Sequence, residues 1–215
     1  MTGAAYEAPD QSHGASDGPL PIAVLASGQG TNLQALLDTV HGREARIVAV
    51  ASDRPDAPAL RRAGDAGVPA ATFARADFPD RAARDEAIAG WLADRGARAV
   101  VLAGYMALLT PGFLARFPGG VLNVHPSLLP AFPGLRAVEQ AVDHGVKVFG
   151  VTVHFVGEGI DTGPIVAQRA VELPDVTDPA AVLAALRPLE HSLLPEAVRS
   201  LAAGALRPPA PIPPP

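Results

Sequence analysis

Short apolar runs alternate along this chain with longer stretches of helical spacing, and that alternation leaves few folds open. The runs at 21–26, 47–51 and 99–103 carry apolar residues at consecutive positions, the pattern of strands buried on both faces. Between and after them, 32–40, 58–66, 81–94 and 111–117 place apolar residues three and four apart, as helices lying against a sheet do. Val121, Leu122, Asn123 and Val124 form another strand, followed by a proline-dense loop over 125–134 and a helix over 135–143. Two longer strands, 148–156 and 164–173, flank a glycine-rich connection at 157–163. The expectation is an α/β fold: one Rossmann-like domain with a mostly parallel central sheet flanked by helices, and an antiparallel strand toward its C-terminal part. A last helical region, 178–203, is expected to break at Pro188 and Pro195, because proline removes a helical hydrogen bond.

The 215 residues, 48% of them hydrophobic, suffice for one substantial core. Residues 1–20 are rich in Gly, Ala, Ser and Asp without a period, and 207–215 are nearly all proline. Both ends read as disordered tails around a folded part at 21–206. A net charge of -5, from 17 basic and 22 acidic side chains without a basic run, argues against nucleic acid as a partner and for small ligands. With no cysteine, disulfides and thiolate chemistry are excluded. No stretch reaches the roughly 18 apolar residues of a membrane span, and residues 1–18 lack the basic start and apolar centre of an export signal. The expectation is therefore a cytoplasmic protein without membrane attachment.

The first strand runs into Ser27, Gly28, Gln29, Gly30, Thr31 and Asn32, and then a helix begins. Free backbone N–H groups at such a helix start can hold an anion, with glycine allowing close approach. Leu33 replaces the third glycine of a dinucleotide fingerprint, and the Gly-Lys-Ser/Thr of a P-loop is missing. A bound phosphate and a plain tight turn capped by Thr31 or Asn32 both remain open here.

In the strand ending Leu122-Asn123-Val124-His125, alternation sends Asn123 and His125 to the same side, where an amide donor and an imidazole suit acyl transfer. Asp161, between Gly159 and Gly163, is a carboxylate able to tune that imidazole; a turn residue serving its own backbone is the competing role. His13, His41, His144, His154 and His191 show no close metal-ligand spacing, so no metal is expected, and His154 reads as a core or pocket histidine.

Together, four segments in this order resemble the 10-formyltetrahydrofolate-dependent formyltransferases: Ser27 to Gln34, Leu102-Ala103-Gly104-Tyr105-Met106, Asn123-Val124-His125-Pro126-Ser127-Leu128-Leu129-Pro130 and Gly159-Ile160-Asp161-Thr162-Gly163-Pro164. The first loop resembles the branch that formylates glycinamide ribonucleotide in purine synthesis. The resemblance implies a catalytic group of Asn123, His125 and Asp161. It implies the substrate phosphate at Gly30, Thr31 and Asn32, with Glu190 at the ribose and Arg187 as a basic phosphate contact. It further implies that 10-formyltetrahydrofolate, the co-substrate, lies against Arg81, Met106, Ala107, Leu108 and Leu109, as well as Asn123, Val156 and Asp161. Without the resemblance, Met106 to Leu109 would read as ordinary core, and Arg81 as helix surface. Thr31 stands where relatives often have serine, and Ala107 where some have arginine. A related formyltransferase or formyltetrahydrofolate hydrolase, and a non-catalytic nucleotide-binding module, are the competing assignments; monomer and homodimer are both open.

Overall fold

The computed structural model describes residues 18–118, 120–157 and 159–208; of the tails expected over 1–20 and 207–215, residues 1–17 and 209–215 lie outside the described residues, while Leu20 belongs to the first strand. Along the chain run β1 (Leu20–Leu25), α1 (Thr31–Thr39), β2 (Ala45–Ser52), α2 (Pro58–Asp65), β3 (Ala70–Thr72), α3 (Arg81–Ala93) and β4 (Ala99–Leu102). After these come α4 (Pro111–Ala115), β5 (Val121–His125), α5 (Ala137–His144), β6 (Val148–Phe155), β7 (Ile165–Glu172) and α6 (Pro179–Ala202). The strands form one sheet in the order β3-β2-β1-β4-β5-β6-β7. All neighbouring pairs from β3 to β5 are parallel, and β6 runs antiparallel to both β5 and β7.

Alternation along each strand divides the core in two. Ile22 and Val24 of β1 face one layer with Leu33 and Leu36 of α1 and Leu186 and Leu194 of α6, while Ala23 and Leu25 face Ile88 and Leu92 of α3 and Phe113 of α4. With helices on both faces, the central strands have no solvent side, which explains their unbroken apolar runs. β3 escaped the sequence reading because Ala70, Ala71 and Thr72 form a short, half-exposed edge strand with little apolar signal.

The expected breaks in the last helix do not occur: α6 continues for 24 residues through Pro188 and Pro195. Six large side chains on it, Val182, Leu186, Leu193, Leu194, Val198 and Leu201, are buried. At about 2 kcal/mol for each buried apolar side chain, they outweigh two interior prolines at about 3 kcal/mol each. Tertiary packing thus overrides the local breaker, and the uninterrupted helix carries Glu190 to Asn32 of α1.

The winding of the sheet reverses between β1 and β4, neighbours whose following loops both leave from their C-terminal ends. Open α/β sheets bind ligands in the crevice at such a reversal. The turn at Ser27 to Gly30 and the segment at Met106 to Leu109 flank this crevice.

Candidate active site

On β5, Val121 joins the α3–α4 layer of the core, so Asn123 and His125, two and four residues on, share that face. Antiparallel pairing sets Asn123 opposite His154 and His125 opposite Thr152. Polar side chains therefore collect on the β5–β6 part of the face, bordered by the loops at 126–136 and 159–164.

The loop after β6 returns Asp161 to this cluster. Its Oδ2 lies 3.3 Å from His125 Nδ1 and accepts the Gly134 N–H at 2.7 Å; its Oδ1 lies 3.4 Å from Asn123 Nδ2 and 3.5 Å from His154 Nε2. Asp161 has φ +52°, a left-handed conformation that Asp tolerates better than most residues. Glycines make the turn possible: a Cβ on Gly163 would sit 1.8 Å from the Phe155 carbonyl oxygen. Burial works to raise the Asp161 pKa, but the contact with His154, the hydrogen bond from the Gly134 amide and the electrostatic influence of the two neighbouring imidazoles outweigh it, holding the carboxyl below its ordinary range.

His125 is buried, and both ring nitrogens face acceptors: Nδ1 the Asp161 carboxylate, Nε2 the Phe132 carbonyl at 2.9 Å. An ionised carboxylate and a carbonyl can only accept, so the doubly protonated ring satisfies both contacts. His154 is 1% exposed and belongs to the same cluster, with Nδ1 donating to the Phe155 carbonyl at 2.8 Å and Nε2 lying 3.1 Å from Asn123 Nδ2. Its sequence setting reads as that of a core or pocket histidine. The signal that would have found it is the polar alternation of Thr152 and His154 within an otherwise apolar strand.

A second group forms at the first turn. Gly30 has φ +69°, and a Cβ there would meet the Cα and Cβ of Ala59 on α2 at 2.8 Å, so only glycine fits. Neither Thr31 nor Asn32 caps α1, whose N-cap is Gly30 with no side-chain hydrogen bond. Instead Arg62 of α2 donates to the Gln29 carbonyl at 2.8 Å and to Gln34 Oε1 at 2.9 Å, bracing the loop from outside. Asn32 Nδ2 donates to Glu190 Oε2 at 3.0 Å, while Asn32 Oδ1 is buried without a partner among the described residues. Burial raises the Glu190 pKa despite the Asn32 hydrogen bond and the Arg187 charge, so this carboxyl resists ionisation. An unpaired acceptor beside a desolvated carboxyl suits the hydroxyl groups of a ligand.

Of the remaining expected residues, Met106 and Leu108 are 66% and 54% exposed, which removes the ordinary-core reading of that segment. Ala107, Leu109 and Val156 are partly buried against the α3–α4 core layer. Arg81 is the first residue of α3 and exposed, with no hydrogen bond or ion pair among the described residues, and Arg187 is exposed on α6. The structure thus brings Asn123, His125 and Asp161 into one cluster and Asn32 with Glu190 into another. It places Arg81 in direct contact with neither.

Comparison with known proteins gives one consistent result. The family described as formyl transferase matches residues 20–198. The chain is 46% identical over 185 residues to phosphoribosylglycinamide formyltransferase of Mycobacterium tuberculosis strain H37Rv, covering 86% of each protein. Its identity to the protein of the same name from Haemophilus influenzae is 42% over 188 residues, covering 86% of this chain and 89% of that protein. The crystal structure of glycinamide ribonucleotide transformylase 1 from Symbiobacterium toebii superposes with a TM-score of 0.85 at 44% identity, covering 91% of this chain and 93% of that one.

Proposed function

Since the chain belongs to the formyl transferase family, we propose that it transfers the formyl group of 10-formyltetrahydrofolate to the amine of glycinamide ribonucleotide, the step of purine biosynthesis for which its relatives are named. What supports the assignment most directly is the convergence of Asn123, His125 and Asp161, with the two ring-to-carboxylate and amide-to-carboxylate contacts at 3.3 and 3.4 Å.

The substrate amine attacks the formyl carbon and gives a tetrahedral intermediate whose oxygen carries negative charge. His125 holds a proton on the side away from Asp161, at Nε2, where the Phe132 carbonyl marks the position of an oxygen acceptor. Held in this way, the charged ring stabilises the intermediate's oxygen electrostatically from beside it. The Asn123 amide, by turning about its last side-chain bond, offers a second donor. One preorganised donor of this kind is commonly worth about 3 to 4 kcal/mol. Asp161, kept ionised, stabilises the charged ring and helps to remove the amine proton, directly or through water; collapse of the intermediate then breaks the bond to N10 of the folate, which takes up a proton and leaves as tetrahydrofolate.

The ribonucleotide phosphate lies at the backbone N–H groups of Gly30, Thr31 and Asn32, with Arg187 nearby, and the ribose hydroxyls reach Asn32 Oδ1 and Glu190. The folate occupies the Met106–Leu109 side of the crevice, bordered by Arg81, Asn123, Val156 and Asp161. Support for this side is the exposed apolar pair Met106 and Leu108 beside peptide groups that make no hydrogen bond among the described residues. Incubating the protein with 10-formyltetrahydrofolate and a panel of amine acceptors tests the whole assignment: formylation of glycinamide ribonucleotide is expected, and its absence under conditions where another acceptor reacts would overturn it.

A further inference from the structure

Building on that placement of the folate, we infer that Ser27 and Asp85 are positioning residues for it, because they hold the two ends of the segment whose main chain faces the ligand. Ser27 belongs by sequence to the turn assigned to the other substrate. Its hydroxyl, however, points across the crevice: Oγ donates to Asp53 Oδ1 at 2.5 Å and accepts the Met106 N–H at 3.0 Å, with the residue 4% exposed. Asp85 is fully buried on α3. Its Oδ1 is gripped by the Arg84 guanidinium at 3.0 Å, and its Oδ2 accepts the Thr110 N–H at 2.8 Å.

Between these two anchors, the peptide groups of Ala107, Leu108 and Leu109 make no hydrogen bond among the described residues. A short irregular stretch without ladder partners has no local interaction to fix its φ and ψ, so its geometry is set where it is tied. Each tie is itself oriented by a charged group, Asp53 behind Ser27 and Arg84 behind Asp85. The suspended peptides are thereby left unpaired and preorganised for a ligand that offers its own donors and acceptors.

Were Ser27 only a satisfied buried hydroxyl, its loss would lower stability without favouring either substrate. Were it a phosphate-loop residue in function as in sequence, its loss would act on the ribonucleotide. The positioning role instead predicts a selective effect on the folate. Calorimetric titration of tetrahydrofolate into the full chain, with steady-state KM values for both substrates, separates these. In Ser27→Ala, tetrahydrofolate affinity should fall and the folate KM rise about threefold to tenfold, the range of one neutral hydrogen bond. The ribonucleotide KM and kcat should move by less than about twofold, and Ser27→Thr, which keeps the hydroxyl, should recover most of the affinity. A second variant guards against misfolding of the first: Arg84→Met with Asp85→Leu exchanges a buried ion pair for apolar volume, a change often neutral for stability, while deleting the tie to Thr110. It should weaken tetrahydrofolate to a similar degree. Unchanged tetrahydrofolate affinity in these variants, or a loss confined to the ribonucleotide KM, overturns the inference. Failure of the parent protein to bind tetrahydrofolate would instead bring down the folate assignment itself, and this inference with it.

Discussion

Replacing Asp161 by Asn removes one charge from the centre of the cluster and the acceptor that faces Asn123 Nδ2. Asn tolerates the left-handed φ of +52° at this position, and its amide oxygen can still accept the Gly134 N–H. The distance to His125 Nδ1 is 3.3 Å, with the two side chains 7% and 14% exposed, so solvent screening is modest. Coulomb's law at an effective dielectric of about 20 puts the attraction at about 5 kcal/mol. If half of it is realised in the transition state, the loss is about 2.5 kcal/mol, close to two decades in rate at about 1.4 kcal/mol per decade. The expected outcome is a fall in kcat of about a hundredfold, measured as formyl transfer at saturating concentrations of both substrates, with the melting profile at neutral pH still cooperative. Turnover within about tenfold of the parent, in a variant that remains folded, would refute the role given to this carboxylate.

Three further outcomes follow from the same geometry. Glu190 has a raised pKa, so ionising it costs stability as pH rises through its folded value; Glu190→Gln should therefore raise the melting temperature at pH 7 while raising the ribonucleotide KM, and a lowered melting temperature would contradict this. Gly30→Ala forces a Cβ against Ala59 at a φ of +69°, so beyond a left-handed penalty of about 1–2 kcal/mol the phosphate turn must shift, and calorimetry should show ribonucleotide binding weakened at least about tenfold. Asp161 has a depressed pKa, so its stabilising contribution is present above the ordinary value of 3.8 and lost as pH falls through the lower folded value. Melting curves of the parent should fall more steeply than those of Asp161→Asn in that acid window.

Most of the fold was legible because burial on two faces leaves its mark on composition. Residues 22–25 and 99–102 have no solvent side, so nothing polar interrupts them. α6 was misread at its prolines because a local rule cannot see the six buried side chains that hold the helix in place. At the site, Asn123 and His125 were legible from strand alternation and Asp161 from its glycine setting, with the resemblance joining them. His154 was not, since its partnership with Asn123 depends on strand register, a property of two distant segments at once. The ties at Ser27 and Asp85 were equally hidden: each joins residues 79 or 25 positions apart through a backbone N–H, which carries no mark in the sequence.

The antiparallel ladder between β5 and β6 sets Asn123 against His154 and His125 against Thr152. Strand pairing and not loop length dictates which groups meet, and α5 in the connection between the two strands is tied to the core through Val138 and Ala141. Deleting a single residue inside β6 ahead of Thr152 would turn the imidazole of His154 to the opposite side of the sheet, into the layer packed beneath α6, and leave Asn123 facing a hydrocarbon neighbour.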